Sequence, residues 1–189
     1  MRMLISGLAI AVFAVAVSLG YGAAAGAADE FPAPPKPGPE HEMLKQMEGT
    51  WDTSVKMGGD AKDAKESKGT ATYKMELGGL WLVGNHEGDL GGMKFQGKGM
   101  ESYDPAKKKY VSVWADSMGT VPMISEGTYD KEKKTLTWTS DYPGPDGKMA
   151  KYHMVTEFTD KDCVVMKMSI AGKEGKDVEM MTITYKRKK

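Results

Sequence analysis

From Trp51 to the C-terminus the sequence repeats with a period of two, and antiparallel strands are the structure that pattern describes. WDTSVKM sets Trp51, Thr53, Val55 and Met57 on one face and Asp52, Ser54 and Lys56 on the other. ATYKMEL places Ala71, Tyr73, Met75 and Leu77 against Thr72, Lys74 and Glu76. Each is a strand with one dry and one wet face. Further candidates span residues 80–90, 94–103, 109–118, 122–129, 134–142, 150–159, 162–170 and 177–187, each bounded by turn chemistry, for about ten strands. Only His41–Glu48 breaks the pattern. There Met43, Leu44 and Met47 fall at helical spacing and Gly49 closes the segment.

Two turns share one device. GMESYDPAKKKYVSVW and SEGTYDKEKKTLTW both run through Tyr-Asp, a few turn residues and Lys-Lys into an alternating strand. Asp104 and Asp130 are placed to bond the backbone of their own turns. Strands linked by hairpins and dry on one face remove their exposed edges by closing on themselves. The expected fold is all-β: a single antiparallel up-and-down barrel of about ten strands behind a short N-terminal helix.

The first 28 residues stand apart from that domain. Met1-Arg2-Met3 is followed by a nearly continuous apolar run from Leu4 to Gly20 and then by GAAAGAAD, the pattern of a secretory signal peptide cleaved near Ala25, Ala27 or Ala28. No cysteine lies there to carry a lipid anchor. Residues 29–39 are proline-rich and read as an extended linker, which leaves 40–189 as the barrel domain. The expected location is outside the cytoplasm, periplasmic or extracellular, with no membrane span after cleavage. Without Arg2 the chain holds 25 basic and 26 acidic residues, an even balance that gives nucleic acid no electrostatic footing. Cys163 is the sole cysteine, so no intrachain disulfide can form and the core must hold the fold.

Of the 26 basic residues only Arg2 and Arg187 are arginines. In the last strand Met181, Ile183, Tyr185 and Arg187 share a face. A short helix leading into Gly-x-Trp at the first strand resembles the calycin superfamily, which includes the lipocalins. In those barrels the first-strand tryptophan plugs the closed end and a basic residue near the end of the last strand lies across it. The resemblance implies that Arg187 stacks on Trp51, as guanidinium can and ammonium cannot. The strings GTWD, LGG, GKGMESYDPAKKKYVSVWADSMGT, SEGTYD and ITYKRK together resemble the bacterial domain of unknown function family 1579 over residues 40–189. That resemblance implies a lipocalin-like barrel and supplies no activity. His86 departs from it, standing where an aromatic is more usual.

No catalytic set assembles. Ser117 has no histidine placed to activate it, and no Gly-x-Ser-x-Gly elbow exists. His41, His86 and His153 lack metal-ligand spacing, so neither a metal nor another cofactor is expected. DYPGPDGK puts prolines where a calcium loop needs oxygens. The face shared by Tyr110, Ser112, Trp114 and Asp116 is assigned to the interior, although Val111, Val113 and Ala115 opposite are also apolar. Leu136, Trp138 and Ser140 join it, with Tyr152, Met154, Thr156 and Phe158, and with Val164, Met166, Met168 and Ile170. Sixteen methionines make an adaptable core filler or a pliable pocket wall, with sacrificial oxidation or copper capture as other uses.

The expected function is an exported module that binds a small apolar or aromatic molecule through Ser112, Trp114, Asp116, Trp138, Met154 and Met166, with Trp51 and Arg187 closing the barrel. Three rivals remain open. One is an enzyme using Asp116 in the same pocket. The second is a haem-holding barrel similar to nitrobindin with His86 or His153 as axial ligand. The third is an envelope protein with a solid core. The pattern does not set the oligomeric state.

Overall fold

A computed structural model describes residues 33–58, 66–172 and 176–189; residues 1–28, the expected signal peptide, lie outside them. Within the unit Pro35–Lys189, a helix α1 (Pro39–Lys45) precedes ten strands. These are β1 (Gly49–Met57), β2 (Glu66–Glu76), β3 (Trp81–Leu90), β4 (Met93–Asp104) and β5 (Lys109–Asp116). They continue as β6 (Met123–Asp130), β7 (Thr135–Pro143), β8 (Met149–Asp160), β9 (Cys163–Ala171) and β10 (Asp177–Arg187). Every strand pairs antiparallel with its sequence neighbour, and β1 pairs with β10, so the sheet closes without a free edge.

The hairpin device works as its residues imply. Asp104 Oδ1 accepts from the amides of Ala106 and Lys107, and Asp130 Oδ1 from those of Glu132 and Lys133. Lys108 and Lys134 then take matching left-handed conformations, with φ of 54° and 52°, as each chain re-enters a strand.

Three local expectations are corrected. The helix starts at Pro39, inside the expected linker, because proline at the first helical position loses no hydrogen bond that the helix could use. It ends at Lys45, four residues before Gly49. Leu77 does not extend the dry face of β2: it opens a 3-10 turn (Leu77–Gly79) and is exposed, because Gly78 and Gly79 at positive φ swing the chain toward β3.

The closed end is built around Trp51, which is 0% exposed. Trp51 and Arg187 are paired across β1 and β10, and the Arg187 Cζ lies 4.0 Å from the indole centroid. The turn that links α1 to β1 presents carbonyls to which two side chains donate. The Trp51 indole donates to Met47 O at 2.8 Å, and Arg187 donates to Gln46 O at 2.8 Å, to Glu48 O and to Lys161 O at 2.9 Å. A planar fork with several fixed donors meets that demand, which a lysine could not. Gly49 belongs to the same arrangement, since a Cβ there would stand 2.9 Å from Arg187 Nη1 on a backbone with φ of +117°.

Candidate ligand-binding cavity

Closure leaves an internal cavity of about 410 Å³. Leu44 of α1 and Met47 in the turn after it form its floor, and Met57, Leu90, Met118 and Tyr142 stand at its mouth. Below the mouth, the strand faces that line it follow one parity. On β5 these are Ser112, Trp114 and Asp116; Val113 and Ala115 point to solvent. Trp138, Met154 and Met166 line the same space, so all six residues singled out for ligand contact border one cavity.

Glycines set the shape of the wall. Tyr73 lies directly across from Gly84, Trp114 from Gly99, and Trp138 from Gly127. A Cβ at Gly84 would stand 2.6 Å from the Tyr73 ring, and one at Gly127 would stand 2.5 Å from the Trp138 indole. Trp114 also covers Gly97, where a Cβ would overlap its six-membered ring, whereas one at Gly99 would meet it at 3.4 Å. These rings lie flat on bare backbone, a cross-strand pairing that shields the glycines.

Asp116 is engaged locally. Its Oδ2 accepts the Trp114 indole N–H at 2.8 Å and its Oδ1 the Met118 amide at 2.9 Å. The carboxylate therefore fixes the indole at the mouth. Its polar contacts are one indole and one amide, neither of which ionises near neutral pH.

The deeper polar group is one that the sequence reading named only in part, through His86. The Tyr73 hydroxyl and His86 Nε2 share a hydrogen bond of 3.0 Å. The His86 ring meets Tyr73, Trp114 and Tyr185 edge-on, with centroids 5.3, 4.8 and 6.2 Å away. Burial lowers His86 from its ordinary 6.5 to about 4, so the imidazole is neutral. Burial likewise pushes the Tyr185 phenol up to about 12. Beside them Glu101 projects from β4 into the cavity, and burial raises its carboxyl from 4.5 to about 7. Glu101 shares the parity of Phe95, Gly97 and Gly99, and that was its signal in the sequence. His153 points the other way: it lies on the outer wall of β8, 2.6 Å from Asp177, and cannot serve as a ligand inside the barrel.

A family described as a protein of unknown function, DUF1579, matches residues 36–187. The chain belongs to that family. No curated protein matches it in sequence. Among solved structures it is similar to Rv2717c from M. tuberculosis, with a TM-score of 0.59 at 13% identity over 80% of this chain and 99% of that one. It is also similar to the S-type phycobiliprotein lyase CPES from Guillardia theta, with a TM-score of 0.56 at 14% identity over 78% of this chain and 92% of that one. At such identities the likeness establishes the DUF1579 chain as a barrel of this shape and nothing about its chemistry.

Proposed function

We propose that this DUF1579 protein is an exported binding module that holds a small apolar or aromatic molecule inside its barrel. The observation that carries the reading is the cavity of about 410 Å³, walled mainly by methionine and aromatic side chains and open at one end. Its volume suits a compact ligand, and apolar walls with a few polar groups are the usual composition of such sites. Thioether walls adjust to the outline of their contents. The signal-peptide pattern of residues 1–28 supports export. A barrel similar to a phycobiliprotein lyase is compatible with a small-molecule role. A solid-core envelope protein would not enclose this space. Haem ligation would require His86 to give up Tyr73 and turn out of its aromatic box, so that reading is not favoured.

The test is binding of an uncharged, environment-sensitive apolar dye. The dye should brighten on addition of protein, quench tryptophan emission through Trp114 and Trp138, and lose affinity on Trp114→Ala. Saturable binding that the Trp114→Ala change leaves untouched would place the dye elsewhere and remove the support for this site.

A further inference from the structure

An uncharged apolar ligand would leave one feature of the cavity unanswered. The charged side chains bordering it are four carboxylates, Glu87, Asp89, Glu101 and Asp116, against a single ammonium, Lys68. Glu87, Asp89 and Lys68 are exposed at the mouth, and Asp116 is held by Trp114 and Met118. Glu101 differs from all of these. It lies beyond Gly97 and Gly99 on the inward face of β4, and its cross-strand neighbours are Leu82 and Ser112. It is half-buried on the cavity wall, and among the described residues no donor hydrogen-bonds to its carboxylate. A carboxylate placed there has only water from the cavity to meet it, and covering it with hydrocarbon would strip that water at a cost.

Resting on the binding-module reading, we propose that the cavity selects aromatic molecules that carry a protonated amine, with the ammonium on Glu101 and the ring against Trp114. The ammonium supplies the missing charge and donors, and the faces of Tyr73 and Tyr185 add cation–π attraction. The groups beside Glu101 are Tyr73 from β2, Ser112 from β5 and Tyr185 from β10, and none of them is charged near neutral pH. Glu101 is thus the charge at that depth that a cation can meet. Its carboxyl, held at about 7, ionises readily when a cation arrives.

Isothermal titration calorimetry with naphthylmethylamine and its uncharged isostere ethylnaphthalene, at about pH 8 where the carboxyl is mostly ionised, separates the possibilities. The wild type should prefer the amine by about tenfold or more, as expected for a charge-assisted hydrogen bond out of water. Glu101→Gln, which removes the charge and keeps the shape, should abolish the preference, weakening the amine while ethylnaphthalene binds at least as tightly as to the wild type. Equal affinities in the wild type, or a preference that survives Glu101→Gln, would overturn the amine assignment while the binding module stands. Failure of both compounds to bind would overturn both.

Discussion

Glu101→Gln also bears on stability, and its sign reverses the usual expectation for a lost acid. A carboxyl whose folded value is raised holds its proton more tightly in the fold than in the unfolded chain. Stability therefore falls as pH climbs from the unfolded value of about 4.5 toward about 7, then levels off. That displacement corresponds to about 3 kcal/mol, and water entering the cavity would reduce it to about 2. At about pH 4 the protonated acid and the amide are near equivalents, and the variant should match the wild type. At about pH 8 the variant should be the more stable by about 2–3 kcal/mol. Urea unfolding of both proteins across that range reads the difference directly. A difference that does not change with pH would show that Glu101 is hydrated or paired, and the burial argument would fail.

His86 adds an opposing slope. Its folded value is depressed to about 4 from 6.5, so the unfolded chain takes up the proton first and stability falls as pH drops through that window. Between about 4.5 and 6.5 the two groups nearly cancel in the wild type. Glu101→Gln removes one arm of the balance. Its stability should rise across that window by roughly 1.4 kcal/mol per pH unit more steeply than the wild type's.

Arg187→Lys should cost about 2 kcal/mol in thermal or urea unfolding, because the stack on Trp51 and the fork onto the carbonyls of Gln46 and Glu48 go together; an unchanged midpoint would refute this. Gly97→Ala should destabilise by about 1–3 kcal/mol and weaken dye binding as Trp114 is pushed into the lumen, whereas Gly99→Ala, whose Cβ meets the indole at 3.4 Å, should cost well under half of that. Equal effects at the two positions would contradict the placement of the ring. Mature protein recovered from its own cells should begin between about Gly26 and Asp29 by N-terminal sequencing, and an intact N-terminus in the membrane fraction would refute export.

The strands and the closed end were legible because each signal is local. Alternation identifies β1 and β8 unaided, and Trp51 and Arg187 stand at the start and end of their strands. On β3 alternation failed. Its inward positions Leu82, Gly84, His86, Gly88 and Leu90 include two glycines and a histidine, while Trp81 and Val83 put apolar bulk on the opposite face. The period-two contrast is thereby erased, and with it the placing of His86. On β4 the run Phe95, Gly97, Gly99, Glu101 has the right parity but almost no hydrophobic weight, so its charge did not read as interior. The glycine–aromatic pairs depend on register between strands, and no single strand's pattern encodes that.

Those pairs explain why a barrel with this many large side chains is hollow. Ten strands enclose more space than aliphatic side chains fill, and bulky rings projecting inward would ordinarily occupy it. Here Tyr73, Trp114 and Trp138 lean sideways over Gly84, Gly97 and Gly127, where no Cβ holds them off the backbone. Each ring becomes part of the wall. Asp116 fixes the tilt of one by accepting its indole N–H, and His86 engages another through the Tyr73 hydroxyl. A wall of flat aromatics and flexible thioethers leaves an apolar lumen, in which a lone acid is conspicuous. Folding would tolerate Gln at position 101 better than Glu, by the burial argument above. The cost of retaining the carboxylate falls on the empty protein, and a cationic ligand would relieve it. Selectivity and destabilisation are therefore two effects of the same unpaired group, and Glu101→Gln should remove both together.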